Sequence, residues 1–422
     1  MTTTFNSLRI RAYRIWFIGM TTSNLGMWIQ RIAQDWLVLT VLTDNDATAV
    51  AITMSLHFLP PVVLLPLTAI VADRFDRKKT LVVTQGVQAL LAVALSVLTL
   101  TGTIELWMVF VLSGALGVAA AFDQPVRQTF VSELIPVLYI GNAVALNQTS
   151  FNAGRLIGPG IGGLLVAAVG PGWAFVVNAF AFAGTLIALT MIMPSARDIP
   201  LRSASAASIR EAFRYINGTA TLLLIFVMMF FVSLFGLNSA IFIVTMTRIE
   251  FELDASYLGY FTSGMAVGAL IGALFAARRG QPRLRHVVIA AGCLGVTFLA
   301  AAIAPGIWTF GMSLALLGTA IMTTTASANG FIQIHTPPEL RGRVMASYLA
   351  VLSVAAAIGA LIAGPLIDAF GPRWATAIGG TGGLIAATSA LVWLVSVRSY
   401  RLSWNRNRRW RIRFAPEPEA GF

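Results

Sequence analysis

Residues 158–174 read GPGIGGLLVAAVGPGWA, and residues 359–375 read GALIAGPLIDAFGPRWA. At a fixed offset of 201, Gly158 matches Gly359, Gly163 matches Gly364, Gly170-Pro171 matches Gly371-Pro372, and Trp173-Ala174 matches Trp374-Ala375. An apolar run with its exit turn therefore occurs twice. Between the copies lies a long polar segment, 195–219, rich in Ser, Ala and Arg. The chain reads as two related halves joined there, with an N-terminal unit at 1–194, a C-terminal unit at 220–397 and an arginine-rich tail at 398–422.

The apolar character of the repeated run extends along the whole chain. Of 422 residues, 57% are hydrophobic and 11% charged, with a mean hydropathy of +0.80. Soluble domains carry about 45–50% apolar and about 25% charged residues, so a soluble enzyme and a disordered chain are both excluded. A membrane helix needs about 20 apolar residues. Twelve such runs lie near 15–41, 48–72, 80–101, 106–126, 140–169, 173–193, 220–247, 255–277, 286–304, 307–333, 344–370 and 374–397. They are long and continuous, unlike the short alternating strands of a membrane barrel. The expected fold is an all-α membrane protein of twelve spans in two pseudo-symmetric six-helix bundles, the repeated run being spans 5 and 11.

The net charge of +12 has a topological reading. With twelve spans, 25 of the 29 basic residues precede span 1 or follow the even-numbered spans. The positive-inside rule then places both termini in the cytoplasm of a bacterial inner membrane. The arginine-rich tail is expected in solvent or on anionic lipid rather than on nucleic acid. No cleavable signal pattern precedes span 1, which is expected to stay as an anchor. One Cys and three scattered His exclude a disulfide framework and leave no metal site in prospect. No nucleophile–base pair is evident, no glycine-rich nucleotide loop is present, and no cofactor is expected. The partners in view are a small-molecule substrate, protons and membrane lipids, with a monomer expected.

Three stretches give the chain a resemblance to the major facilitator superfamily over nearly its whole length. Residues 69–79, AIVADRFDRKK, are similar to its loop 2–3 motif G-x-x-x-D-R-x-G-R-K/R, departing at Ala69 and Asp76 where Gly is usual. Residues 154–163, GRLIGPGIGG, match in full G-x-x-x-G-P-x-x-G-G, the span-5 motif associated with exporters. Residues 28–38 and Phe58-Leu59-Pro60-Pro61 resemble the branch that includes the enterobactin exporter. The exporters' span-4 arginine motif is not evident, since no Arg precedes 112–117. The resemblance implies export of a bulky, partly apolar solute, drug-like or a siderophore, by alternating access in exchange for protons. A lipid flippase or importer on the same fold, and a receptor without flux, are the other readings.

Gly154, Gly158 and Gly162 with Gly163 form a small-residue ridge around Pro159, and Gly264, Gly268 and Gly272 form another in span 8. Such ridges let helices approach closely in lipid. The resemblance pairs spans 5 and 8 across the halves, so the two ridges are expected to meet as a moving seam. It also implies a charge relay of Asp73 and Arg77 with Asp123 of span 4, with Arg74 in the same conformational motif. In span 1, Asn24, Arg31 and Asp35 share a helical face. A charge at that depth costs about 2.5–3.5 kcal/mol and marks a functional position. Asp35 is the candidate proton-coupling carboxylate, or else a fixed partner of Arg31, and His57 in span 2 is a candidate relay. Arg155 either binds an anionic solute or pairs with an acid in span 1 or 4. In the cavity helices that the resemblance implies, Phe231, Phe235 and Asn238 of span 7 and Thr324 and Asn329 of span 10 are candidate substrate contacts.

Overall fold

The computed structural model describes residues 3–192, 206–236, 238–278, 283–398, 401–404 and 412–415. Residues 195–205, most of the tail and the side chain of Asp73 lie outside the described parts.

The first half contains α1 (Arg11–Leu37), α2 (Ala47–Val63), α3 (Leu65–Arg74), α4 (Arg77–Leu100), α5 (Leu106–Leu134), α6 (Ile140–Val169) and α7 (Pro171–Met191). A short helix α8 (Ala206–Gly218) follows. The second half contains α9 (Ala220–Phe231), α10 (Ser239–Thr245), α11 (Ala255–Arg278), α12 (Leu284–Ala302), α13 (Ile307–His335), α14 (Pro338–Phe370) and α15 (Pro372–Arg398). In the tail, β1 (Arg401–Trp404) pairs antiparallel with β2 (Ile412–Ala415), Arg401 opposite Ala415.

Ten helical segments among the described residues are long and apolar enough to cross a membrane. Spans 1 and 2 complete the expected twelve. Span 1 is α1, whose 27 residues reach about 40 Å at 1.5 Å per residue but carry polar groups along their length. Span 2 is not the continuous run expected. It breaks at Leu64 into α2 and α3, where Pro60, Pro61 and Pro66 withdraw backbone donors. Span 7 is likewise divided, with π turns at Val232–Gly236 between α9 and α10. Asp46 caps α2 by accepting from Ala49 N at 3.0 Å. Asp76, at the position where the motif favours Gly, caps α4 by accepting from Lys79 N at 2.8 Å.

The repeat is visible in the backbone. Gly170 and Gly371 end α6 and α14 with φ of +88° and +83°, a conformation glycine adopts without strain. Within the first half, α1 packs on α6 and α7, and α4 on α5 and α7. In the second, α12 packs on α13 and α15, and α11 on α13. The halves meet through two equivalent pairs, α6 with α11 and α2 with α14. The matched residues Gly163 and Gly364 occupy these two seams. A Cβ on Gly163 would stand 2.5 Å from the Ala255 carbonyl, and one on Gly364 would stand 2.7 Å from Thr48 Cα. Both seams lie toward the arginine-poor end of the spans.

The two seams also corrects the expected glycine arrangement, because the ridges do not face each other. Gly154, Gly158 and Gly162 lie against Asn24, Trp28 and Ile29 of α1. Gly268 and Gly272 lie against Ala315 and Thr319 of α13. Each ridge knits its own half together, and the seam between halves is made by Pro159, Gly160 and Gly163 with Ala255, Gly259 and Ser263. A stripe of small residues permits close approach without naming the neighbour.

Candidate binding cleft

The polar side chains of α1 divide by face. Gln30 accepts from Asn178 of α7 at 2.5 Å, and Gln34 donates to Ser113 of α5 at 2.7 Å. These bonds hold α1 to its neighbours and leave another face for Asn24, Trp28, Arg31 and Asp35. Asn24 is not free for a solute. Its amide donates to Ser150 of α6 at 3.1 Å, and Ser150 donates to Thr21 at 2.9 Å.

Arg31 lies against aromatic rings. Its guanidinium lies over the Phe58 ring at 4.3 Å and the Trp28 ring at 5.5 Å, a cation–π arrangement favoured where water is scarce. Among the described residues no ion pair joins Arg31 to Asp35 within 4.0 Å. Asp35 is 4% exposed and makes no hydrogen bond within those residues. His57 is half-buried, edge-on to Phe58 at 5.5 Å, and makes no hydrogen bond to Asp35, so no relay between them is formed in this state.

Arg155 is half-buried on α6. It sits between Phe151, whose ring meets Trp28 at 5.8 Å, and Gly158, which approaches Trp28 Cβ. That places it on the face of α6 lying between the α1 contact and the α11 seam, opposite the exposed Ile157 and Ile161. The expected acid partner in span 1 or 4 is not there, for Arg155 has no ion pair or hydrogen bond among the described residues.

The span 7 and span 10 candidates are mostly packing residues. Phe231 stacks edge-on with Phe230 at 5.6 Å, and the Phe231 carbonyl and Phe235 side chain pack against Gly382 of α15. Asn238 donates to Leu234 O at 3.3 Å and sits against Gly359, holding the break between α9 and α10. Thr324 is fully buried and donates to Ala320 O at 2.7 Å. Asn329 is half-buried, and its Oδ1 has no partner.

The expected charge relay is split. Arg77 pairs with Glu133 at the end of α5, a partner the sequence reading missed. Asp123, 3% exposed, accepts from Thr84 at 2.9 Å, Gln85 at 2.7 Å and Arg127 at 2.7 Å. Arg74 is exposed. The only pattern that could have found Arg127 is its i, i+4 spacing from Asp123. A separate pairing spans the halves. Asp368, near the end of α14, accepts from the backbone N–H groups of Ala47 at 2.9 Å and Thr48 at 3.0 Å and from the Thr48 hydroxyl. It caps the first turn of α2 from the opposite bundle.

Twelve spans in two repeated bundles that meet along two equivalent seams form a membrane transporter of the major facilitator type. The chain belongs to the transmembrane secretion effector family, which matches residues 2–412. It is 28% identical to the multidrug efflux pump Tap of Mycolicibacterium fortuitum over 83% of this chain and 88% of that one. It is 25% identical to the enterobactin exporter EntS of Shigella flexneri, over 79% and 80%. A solved POT family transporter in complex with 5-aminolevulinic acid shares the fold, with a TM-score of 0.71 at 14% identity over 91% of this chain and 96% of that one.

Proposed function

We propose that the chain exports a bulky, partly apolar organic solute across a bacterial inner membrane, exchanging it for protons at Asp35. The observation that carries this reading is Asp35 itself, a buried carboxylate on the cleft-facing side of α1 with no hydrogen-bonding or ion-pair partner in the described structure. A fixed structural carboxylate would be satisfied, as Asp123 is. The arginine-rich end is cytoplasmic in this reading, so the seams at Gly163 and Gly364 lie toward the outside. Gly163 and Gly364 form the seams on which residues 1–194 rock against residues 220–397. The printed activities of the relatives, multidrug efflux and enterobactin export, support the direction.

The test is uptake of a fluorescent drug dye into inside-out vesicles driven by an imposed pH gradient. Asp35→Asn removes proton-driven uptake while dye binding persists. Undiminished uptake by Asp35→Asn would remove Asp35 from the mechanism.

A further inference from the structure

Apart from the mutually paired Asp123 and Arg127 of α5, the mid-span charges are one carboxylate, Asp35, and two guanidiniums, Arg31 and Arg155. Across the cleft, α11, α12, α13 and α15 contain no Asp or Glu, and those of α14, Glu339 and Asp368, lie near its ends. With Asp35 ionised, one positive charge remains over. Of the two guanidiniums, Arg31 is occupied by the Phe58 and Trp28 rings. Arg155 has neither an acid nor a hydrogen-bond acceptor among the described residues. A second donor lies on the neighbouring helix α1. Trp28 Nε1 is buried with no acceptor, and Trp28 contacts both Phe151 and Gly158, the neighbours of Arg155 one turn away in each direction. A buried indole N–H is nearly always paired in proteins, and guanidinium forks match carboxylate geometry. An anionic acceptor carried on a flat apolar body would complement Arg155 together with the Trp28 and Phe151 rings.

From this juxtaposition we infer that the exported solute is an aromatic organic anion, its acidic group held by Arg155 and its ring against Trp28 and Phe151. The inference deepens the exporter reading and rests on it for the word exported. The driving forces agree: an anion leaving and a proton entering both move positive charge inward, each drawing about 2.3 kcal/mol per 100 mV of membrane potential.

The experiment measures binding apart from flux. The purified full-length protein is titrated in detergent with three matched probes, 2-naphthoate, 2-naphthamide and 2-naphthylmethylammonium, following tryptophan fluorescence. The carboxylate binds at least tenfold more tightly than the amide or the cation. Arg155→Gln reduces that preference to within twofold, and Arg155→Lys keeps most of it, with the melting temperature of each variant reporting its fold. Equal binding of the three probes, no binding of naphthoate, or a preference that survives Arg155→Gln overturns the inference. Selective binding of naphthoate without dye flux in vesicles would instead overturn the exporter reading and leave the anion site standing.

Discussion

Removing the carboxylate of Asp368 should tilt the transporter toward the state open at its arginine-poor end. In the present state Asp368 accepts two backbone N–H groups and one hydroxyl from the first turn of α2. It thereby joins the two bundles where they close. Deleting a helix-capping side chain costs about 0.5–2 kcal/mol, and hydrogen bonds to a charged acceptor contribute about 1.5–3 kcal/mol when shielded. Asp368 is exposed, so the lower range applies, and about 1.4 kcal/mol is a reasonable expectation for Asp368→Ala. That corresponds to a tenfold shift between the two states. Opening breaks these bonds, so the loss falls only on the closed state. Residue Cys293 is the one native cysteine. In a Cys293→Ser background, spin labels at Thr101 and Ile303 report the separation of the two bundles at this end. Asp368→Ala should raise the long-distance population about tenfold, from 1% to about 9% if it begins there. The control is Asp46→Ala, which removes the cap that α2 supplies to itself and should lower stability without moving the distribution. An unchanged distance distribution in Asp368→Ala, with Asp46→Ala unchanged as well, would refute the latch.

Gly163→Val puts a Cβ within 2.7 Å of Gly259 and 2.5 Å of the Ala255 carbonyl. It should block closure of the seam and abolish dye flux in vesicles while leaving yield and melting temperature near those of the parent. Gly268→Val meets the Ala315 carbonyl head-on, whereas Gly264→Ala meets open space. The first should destabilise the second bundle by about 3 kcal/mol or more and the second by less than about 0.5 kcal/mol, as read from thermal melts in detergent. Asp123→Ala strands Thr84, Gln85 and Arg127 in a buried site. It should cost about 3–5 kcal/mol, visible as a lowered melting temperature with the remaining transport rate per folded molecule preserved.

What the sequence makes legible follows from how local each signal is. The spans can be read because hydropathy is a property of consecutive residues, and the ends of α6, α11 and α13 fall within two residues of the expected runs. The break at Leu64 and the π turns of span 7 interrupt runs whose hydropathy never falls, so composition alone passes over them. Partners are a different matter. The ridge of Gly154, Gly158 and Gly162 announces close approach, but whether to α1 or to α11 depends on helix rotation, which the pattern does not encode. Arg77 shares a motif with Asp73 yet pairs with Glu133, 56 residues away.

The repeat itself separates framework from chemistry. Positions that survive at the offset of 201 are the ones two-fold architecture needs twice: Gly163 and Gly364 at the seams, Gly170 and Gly371 at the turns. The charges do not survive. Arg155 corresponds to Ala356, Asp368 to Ala167, and span 7 has no ionisable residue between Ala220 and Thr247 to set beside Arg31 and Asp35 in span 1. A symmetric pair of bundles can rock but gives a solute no preferred orientation and gives one seam no advantage over the other. Placing the uncommitted guanidinium and carboxylate in one bundle, and the cross-bundle carboxylate Asp368 on one seam, breaks that equivalence. The departures from the repeat are thus where the search for function in such a chain is best directed, and they are readable by aligning the chain against itself.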